Sequence, residues 1–386
     1  MSKTTQKKTN SSSLLILALD FGGSSTKGIY CTLKQNIPAS LVMEPEVVKI
    51  SSDSVTCETL GTTEPENAAW VNYMGETFAV GYLAKSKYYA NEGLKELKYE
   101  RAIAKTLASI WATSQKLQLG AKFRLALVCL LPPGEFENKE SFHKQLKTIL
   151  ADFTTPTGRM RVELSQFKCL PEGAGIYLAY QKQLGQAIKT RAIALVMVGY
   201  RNASVLISDK GMVAADGKTC DLGMIRLLEK VVARTSGQTA SQLASAVVAA
   251  GSEISSTPFL RLLRSTNNIN KQQELIQIQK AVKLARSEYA AVLTSWLDQV
   301  ISRSAISEII FCGGTADYMR RELNSHYPGT PCLWGVGADI PKQVDIFGFG
   351  SRLADVYSVF LYFYEKAEGR REEIIREENQ EREVIK

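Results

Sequence analysis

The stretch LLILALDFGGSSTKGIY, residues 14–30, gathers the residue types that handle a phosphate anion. Asp20 closes an apolar run, Gly22 and Gly23 follow, and Ser24, Ser25, Thr26 and Lys27 come next. Glycines let the chain turn tightly and bring backbone N–H groups up to an anion. Hydroxyls and a lysine add donors and charge, and an acid beside them can hold water on an accompanying divalent cation. The positions of these groups depend on what flanks them. Leu14 to Leu19 is a continuous apolar run, which predicts a strand buried on both faces. The run GIYCTL predicts a second strand, so the unit is strand–turn–strand.

The same unit recurs at 191–217, RAIALVMVGYRNASVLISDKGMVAADG, a repeat at the scale of a domain. Between the two, Gly75-Glu76 and Gly81 punctuate two short strands in YMGETFAVGYLAKS. Residues 92–119 have helical spacing, FRLALVCLLPP is a buried strand stopped by Pro132-Pro133, and KESFHKQLKTIL is a short helix. RMRVELSQFKCL is one long strand or a strand pair, and a helix over 171–185 opens with Pro171 and Glu172. Residues 222–304 are largely helical with polar breaks at 251–257 and 265–270. ISEIIFCGGTADYMRRELNSHY is strand, Gly-Gly turn and helix, and a helix closes the fold before a charged tail over 365–386. Residues 1–13 are polar and read as disordered.

Composition narrows the chemistry. A chain of 386 residues with 45% hydrophobic and 22% charged residues has room for two domains with separate cores. The 47 Lys+Arg exceed the 39 Asp+Glu, but the excess is spread along the chain and forms no basic stripe for nucleic acid. The seven cysteines form no CxxC pair and mostly lie in apolar runs, as buried free thiols in a reducing compartment would. Only two histidines occur, His143 and His326, far apart, which argues against zinc and Ser-His-Asp chemistry. No apolar segment has the length of a secretory signal core or of a membrane span, so a cytoplasmic protein without membrane insertion is expected.

Spacing rejects two of the three common glycine-rich phosphate sites. Gly217-Lys218-Thr219 ends like a P-loop, but the required glycine falls on Met212. The dinucleotide fingerprint fails because Gly335 and Gly337 would need glycine at Ile340, and Gly348 and Gly350 at Leu353. The third scheme is a pair of strand–turn–strand hairpins with a Gly-Gly adenosine turn, and here LDFGGSSTKG resembles the first phosphate motif of the actin, Hsp70 and hexokinase ATPases. IIFCGGTADYMRREL resembles their adenosine motif, and CLPEGAGIYLAY their connecting helix with its catalytic acid. Together with VNYMGETFAVGYLA, LVCLLPPGEF and GYRN, these runs are most similar to bacterial actin-like proteins of the ParM/StbA type, in order over residues 14–355.

The resemblance implies an α/β, two-domain actin-like (ribonuclease-H-like) fold with a nucleotide cleft between the domains. Domain I would be 14–171 with the return of 340–364, and domain II 172–339. It implies ATP/ADP and Mg²⁺ as cofactors, with Gly22, Gly23, Ser24, Ser25, Thr26 and Lys27 on the phosphates. Asp20 would hold Mg²⁺ through water and act with Glu172 in catalysis. Gly199, Tyr200, Arg201 and Asn202 would form the second phosphate turn, and Gly313, Gly314, Thr315 and Asp317 would contact the nucleoside. It also implies self-association into filaments for plasmid segregation or another cytoskeletal task, with an adaptor linking them to DNA. The second hairpin departs from the pattern: VMVGYRN places Met197 where relatives carry an acid, and Ser204 stands where another often occurs. Slow ATP hydrolysis is therefore expected. A small-molecule kinase of the same fold and a non-hydrolysing nucleotide-binding scaffold remain the alternatives.

Overall fold

The computed structural model describes residues 14–367 apart from 34, 36, 56–62, 95 and 214–216. The polar terminus at 1–13, Cys57 and the tail beyond 367 lie outside the described residues. The described residues form two compact units, one up to Leu178 and again from Gly337, the other Ala179–Val336.

In the first unit β1 (Leu14–Phe21) turns back antiparallel into β2 (Thr26–Thr32), and β2 into β3 (Ala39–Met43). There follow β4 (Val47–Ile50), β5 (Trp70–Tyr73), β6 (Glu76–Val80), α1 (Tyr82–Tyr88) and α2 (Lys98–Lys116). Next come β7 (Lys122–Leu131), α3 (Lys139–Leu150), β8 (Phe153–Thr155), β9 (Gly158–Pro171) and the start of α4 (Ala174–Leu184), whose residues from Ala179 belong to the second unit. One nine-stranded sheet results, in the order β3-β2-β1-β7-β9-β8-β5-β6-β4, with β1, β7 and β9 parallel.

The second unit holds β10 (Ala192–Val198), β11 (Ala203–Asp209), β12 (Met212–Val213), β13 (Lys218–Cys220), α5 (Met224–Val232), α6 (Ala240–Ala250) and α7 (Asn268–Val300). It ends with β14 (Glu308–Cys312), α8 (Gly314–Tyr318), α9 (Arg320–His326) and β15 (Cys332–Trp334). Its sheet runs β12-β11-β10-β14-β15, with β13 paired to β11. An antiparallel hairpin beside two parallel strands is thus built twice, and the repeat seen in sequence is a repeat of topology. The chain returns to the first unit in a last helix, α10, over 354–367.

The apolar run of β1 has two partners. Leu15, Leu17 and Leu19 pack with Leu107, Ile110 and Trp111 of α2, while Ile16 and Ala18 pack with Val356, Val359 and Phe360 of α10. Side chains alternate across a strand, so a strand covered on both faces must be apolar at every position until it leaves the sheet. Asp20 is the first polar residue of β1, and it stands where that cover ends. In α3, Phe142, Leu146, Ile149 and Leu150 are buried, the spacing of one helical face.

Three sequence boundaries move. The helix expected over 92–119 begins at Lys98, because Gly93 has φ +62° and interrupts any helix through it. Gly81 precedes a helix, α1, and not a strand. Pro171 belongs to β9 in register with Leu131, and the Glu172 amide donates to the Leu131 carbonyl at 2.8 Å. The helix expected from Pro171 therefore starts only at Ala174.

Candidate functional site

In the first unit the register pairs Asp20 with Lys27 across the hairpin, and Lys27 donates both to the Asp20 carboxylate and to the Arg352 carbonyl at 3.0 Å. Gly22 lies under the turn, where a Cβ would stand 2.7 Å from the Ser25 carbonyl, so no other residue fits without moving backbone. Arg352 also reaches the Ser24 hydroxyl at 3.3 Å. Ser25 Oγ and Thr26 Oγ1 are buried and have no hydrogen-bond partner among the described residues. A buried orphaned hydroxyl costs about 1–3 kcal/mol. Two of them beside a lysine have the chemistry to donate to the oxygens of an anion.

Glu172 is 5% exposed and its carboxylate accepts from Lys98 of α2, itself 9% exposed. The following residue, Gly173, has φ +91° and its amide donates to Asp355 of α10 at 2.7 Å. Gly175 and Ile176 donate to the other Asp355 oxygen at 2.8 and 3.3 Å. Asp355 thus caps α4 from a distant part of the chain, satisfying amides that a helix start leaves open. The packing is tight: a Cβ on Gly175 would lie 2.1 Å from the Asp355 carbonyl.

The electrostatics join these groups into one cluster. Burial pushes the Asp20 carboxyl up, yet Lys27, Lys98 and Lys105 outweigh it and hold Asp20 below the usual carboxylate range. Burial pushes Asp355 up to about 7, with Asp20 and Glu172 adding to it against the pull of the Gly173 and Gly175 amides. Burial pushes Lys105 down to about 7, helped by Lys98 and Arg101. Lys98, Lys105, Arg352 and Asp355 were not singled out from the sequence. Their signal was weak but present: two lysines seven apart in an otherwise buried helix, and an acid inside the apolar run LADVYSVF.

In the second unit the turn Gly199, Tyr200, Arg201 and Asn202 joins β10 to β11. Gly199 donates to the Asn202 carbonyl at 2.9 Å, closing the turn, and Gly223, Met224 and Ile225 at the start of α5 donate to the carbonyls of Arg201, Gly199 and Tyr200 at 3.1, 3.1 and 3.0 Å. Gly223, also missed from the sequence, is required there, since a Cβ would meet the Tyr200 carbonyl at 2.3 Å. Thr315 Oγ1 donates to the Gly199 carbonyl at 2.8 Å, and a Cβ on Gly313, which has φ +95°, would lie 2.5 Å from the Val198 carbonyl. Gly313, Gly314 and Thr315 are therefore brought against the Gly199–Asn202 turn, with Asp317 following on α8. Met197 sits in register with Ser204 on β11 and Cys312 on β14, and neither position carries an acid. The Ser204 hydroxyl lies 3.1 Å from that of Thr219, and Lys218 and Thr219 of the failed P-loop remnant belong to β13, paired with β11.

Two duplicated hairpins, each beside two parallel strands, define the actin-like class. Residues 18–175 match the family model of the actin like proteins N terminal domain. No curated protein matches the sequence. Among solved structures, the actin-like protein Alp7A is 12% identical with a TM-score of 0.63, covering 94% of this chain and 99% of that one. ParM from a 15-stranded filament of Clostridium botulinum is 16% identical with a TM-score of 0.59, covering 91% and 99%. Ta0583, an archaeal actin homolog solved in complex with ADP, is 14% identical with a TM-score of 0.55, covering 92% and 99%. The chain has the two-domain actin-like fold that the sequence resemblance implied.

Proposed function

We propose that this chain binds an adenine nucleotide with Mg²⁺ and uses it to assemble into filaments. The observation that carries the reading is the pair of buried, partnerless hydroxyls on Ser25 and Thr26 in a glycine turn flanked by Lys27. They fit phosphate oxygens, which accept hydrogen bonds from hydroxyls. Structural likeness to a protein crystallised with ADP and to proteins seen as filaments supports both halves of the reading.

Gly22, Gly23, Ser24, Ser25, Thr26 and Lys27 would hold the phosphates. Arg201 and Asn202, with Gly199 and Tyr200, are proposed phosphate contacts, and Gly313, Gly314, Thr315 and Asp317 nucleoside contacts. Asp20 would face the metal through water. Among the described residues no group of three His, Cys, Asp or Glu is placed to hold a metal by itself, so the ion would arrive with the phosphates. Bound Mg·ATP supplies the phosphoanhydride that hydrolysis cleaves. Glu172 is the carboxylate available to orient water, but Lys98 already holds it. With Met197 in place of a second acid, hydrolysis is expected to be slow, by about 10²–10³ for one lost polar contact. The cargo in this reading is a plasmid or another body in the cytoplasm, reached through an adaptor.

Calorimetric titration with ADP and ATP, with and without Mg²⁺, tests the nucleotide half. Saturable binding at one site per chain is expected. Absence of binding at millimolar nucleotide would contradict it.

A further inference from the structure

Arg352 is held in place more firmly than a half-buried arginine requires. It lies in the short turn Gly350–Leu353 that leads into α10, within the first unit. The Asp345 carboxylate fixes the approach to that turn, accepting the Phe349 and Gly350 amides at 2.7 Å each. The Phe349 ring lies against the guanidinium, with 4.3 Å between the ring centre and Cζ. Lys27 holds the backbone of the residue by donating to the Arg352 carbonyl at 3.0 Å. The guanidinium so placed reaches the glycine turn of the first hairpin, where Nη2 donates to Ser24 Oγ at 3.3 Å.

That contact uses one of the five N–H groups that a guanidinium carries. Among the described residues no carboxylate is within ion-pairing distance of Arg352, and Asp20, the acid whose field it feels, is engaged by Lys27. Burial pushes the guanidinium below its ordinary value against the pull of Asp20. Lys27 commits two of its three donors to Asp20 and the Arg352 carbonyl, so Arg352 is the cation of this corner whose donors stay open. A planar fork with open donors matches the oxygens of a phosphate. We propose that Arg352 is a phosphate-binding residue of this site, carried to the Ser24 side of the glycine turn by the segment before α10. This rests on the reading of that hairpin as a phosphate site. It adds to the turn a charged contact from 325 residues beyond Lys27, outside every motif of the sequence.

The test measures binding of inorganic tripolyphosphate with Mg²⁺, and of Mg·ATP, to wild type, Arg352→Gln, Ser24→Ala and the double variant by calorimetry. Arg352→Gln is expected to bind both probes roughly tenfold or more weakly, the worth of a charged contact. Arg352→Lys keeps the charge but not the fork, and a smaller loss is expected. The double variant separates contact from positioning. If Arg352 meets phosphate itself, Arg352→Gln weakens binding by a similar factor in the Ser24→Ala background. No further loss in that background would mean that Arg352 acts only by holding Ser24, which overturns the proposal. The unliganded variants are expected to melt with wild type, and a clearly lower melting temperature for Arg352→Gln would assign the residue to the fold instead. If wild type binds neither probe, the phosphate site falls and the proposal with it. If wild type binds both and Arg352→Gln binds them as tightly, only the role of Arg352 is lost.

Discussion

Glu172 illustrates what a residue's neighbours decide. Its carboxylate is ion-paired to Lys98 in a buried setting, so Lys98 governs where Glu172 points. Removing one partner of such a pair leaves a buried charge exposed to the low-dielectric interior. Lys98→Ala is therefore expected to lower stability by about 3–5 kcal/mol in denaturant unfolding, more than Glu172→Ala and Lys98→Met made together. Asp20→Ala should weaken Mg·ATP binding more than binding of ADP without metal, measured by calorimetry. Equal losses for both would assign Asp20 to holding Lys27 only. Two titrations with opposite signs act on the unliganded protein. Asp355 rises from 3.8 to about 7 on folding, so it contributes stability below pH 4 that is lost as pH rises through 7. Lys105 falls from 10.5 to about 7, so it contributes stability above pH 10 that is lost as pH falls through 7. The melting temperature should accordingly show a depression near pH 7, and Lys105→Met should flatten its alkaline side. An unchanged alkaline side would contradict the assignment.

At the scale of elements, α4 shows why a helix start was misread. PEGAG has the proline and acid of a helix N-terminus, yet its cap is Asp355, 180 residues from Gly175, and no local pattern announces that partner. Both Asp355 oxygens accept amides, whereas asparagine offers one acceptor and turns an NH₂ toward the rest. Asp355→Asn should cost about 1–3 kcal/mol of stability and, because Gly173 adjoins Glu172, lower turnover more than nucleotide affinity. Equal loss of both would assign Asp355 to folding alone. The Gly313 turn was legible because its constraint is local: a left-handed φ and a carbonyl 2.5 Å from any Cβ leave only glycine. Gly313→Ala should cost at least about 1–3 kcal/mol. The strands β3, β4, β8, β13 and β15 escaped the sequence reading because each is only three to five residues long, too short for a periodic pattern to show. The β1–β2 hairpin was readable because its residues pair with near neighbours and its polar residues all fall at one end.

At the scale of the whole molecule, the duplicated topology and the family match of residues 18–175 establish the actin-like fold, and assembly is the property that fold is proposed to serve here. The described residues contain no helix long and apolar enough to cross a membrane. On the proposed reading, Met197 in place of an acid separates assembly from hydrolysis: filaments should form with ATP and persist, while phosphate release stays slow. Brisk release by wild type would show that Arg201 or Asn202 makes good the missing group. Ninety-degree light scattering of the full chain at tens of micromolar, with Mg·ATP, Mg·ADP or no nucleotide and negative-stain imaging of the same samples, is the most direct test. The account predicts a rise in scattering and visible filaments with Mg·ATP, and little of either without nucleotide. A chain that binds Mg·ATP and stays monomeric would contradict it.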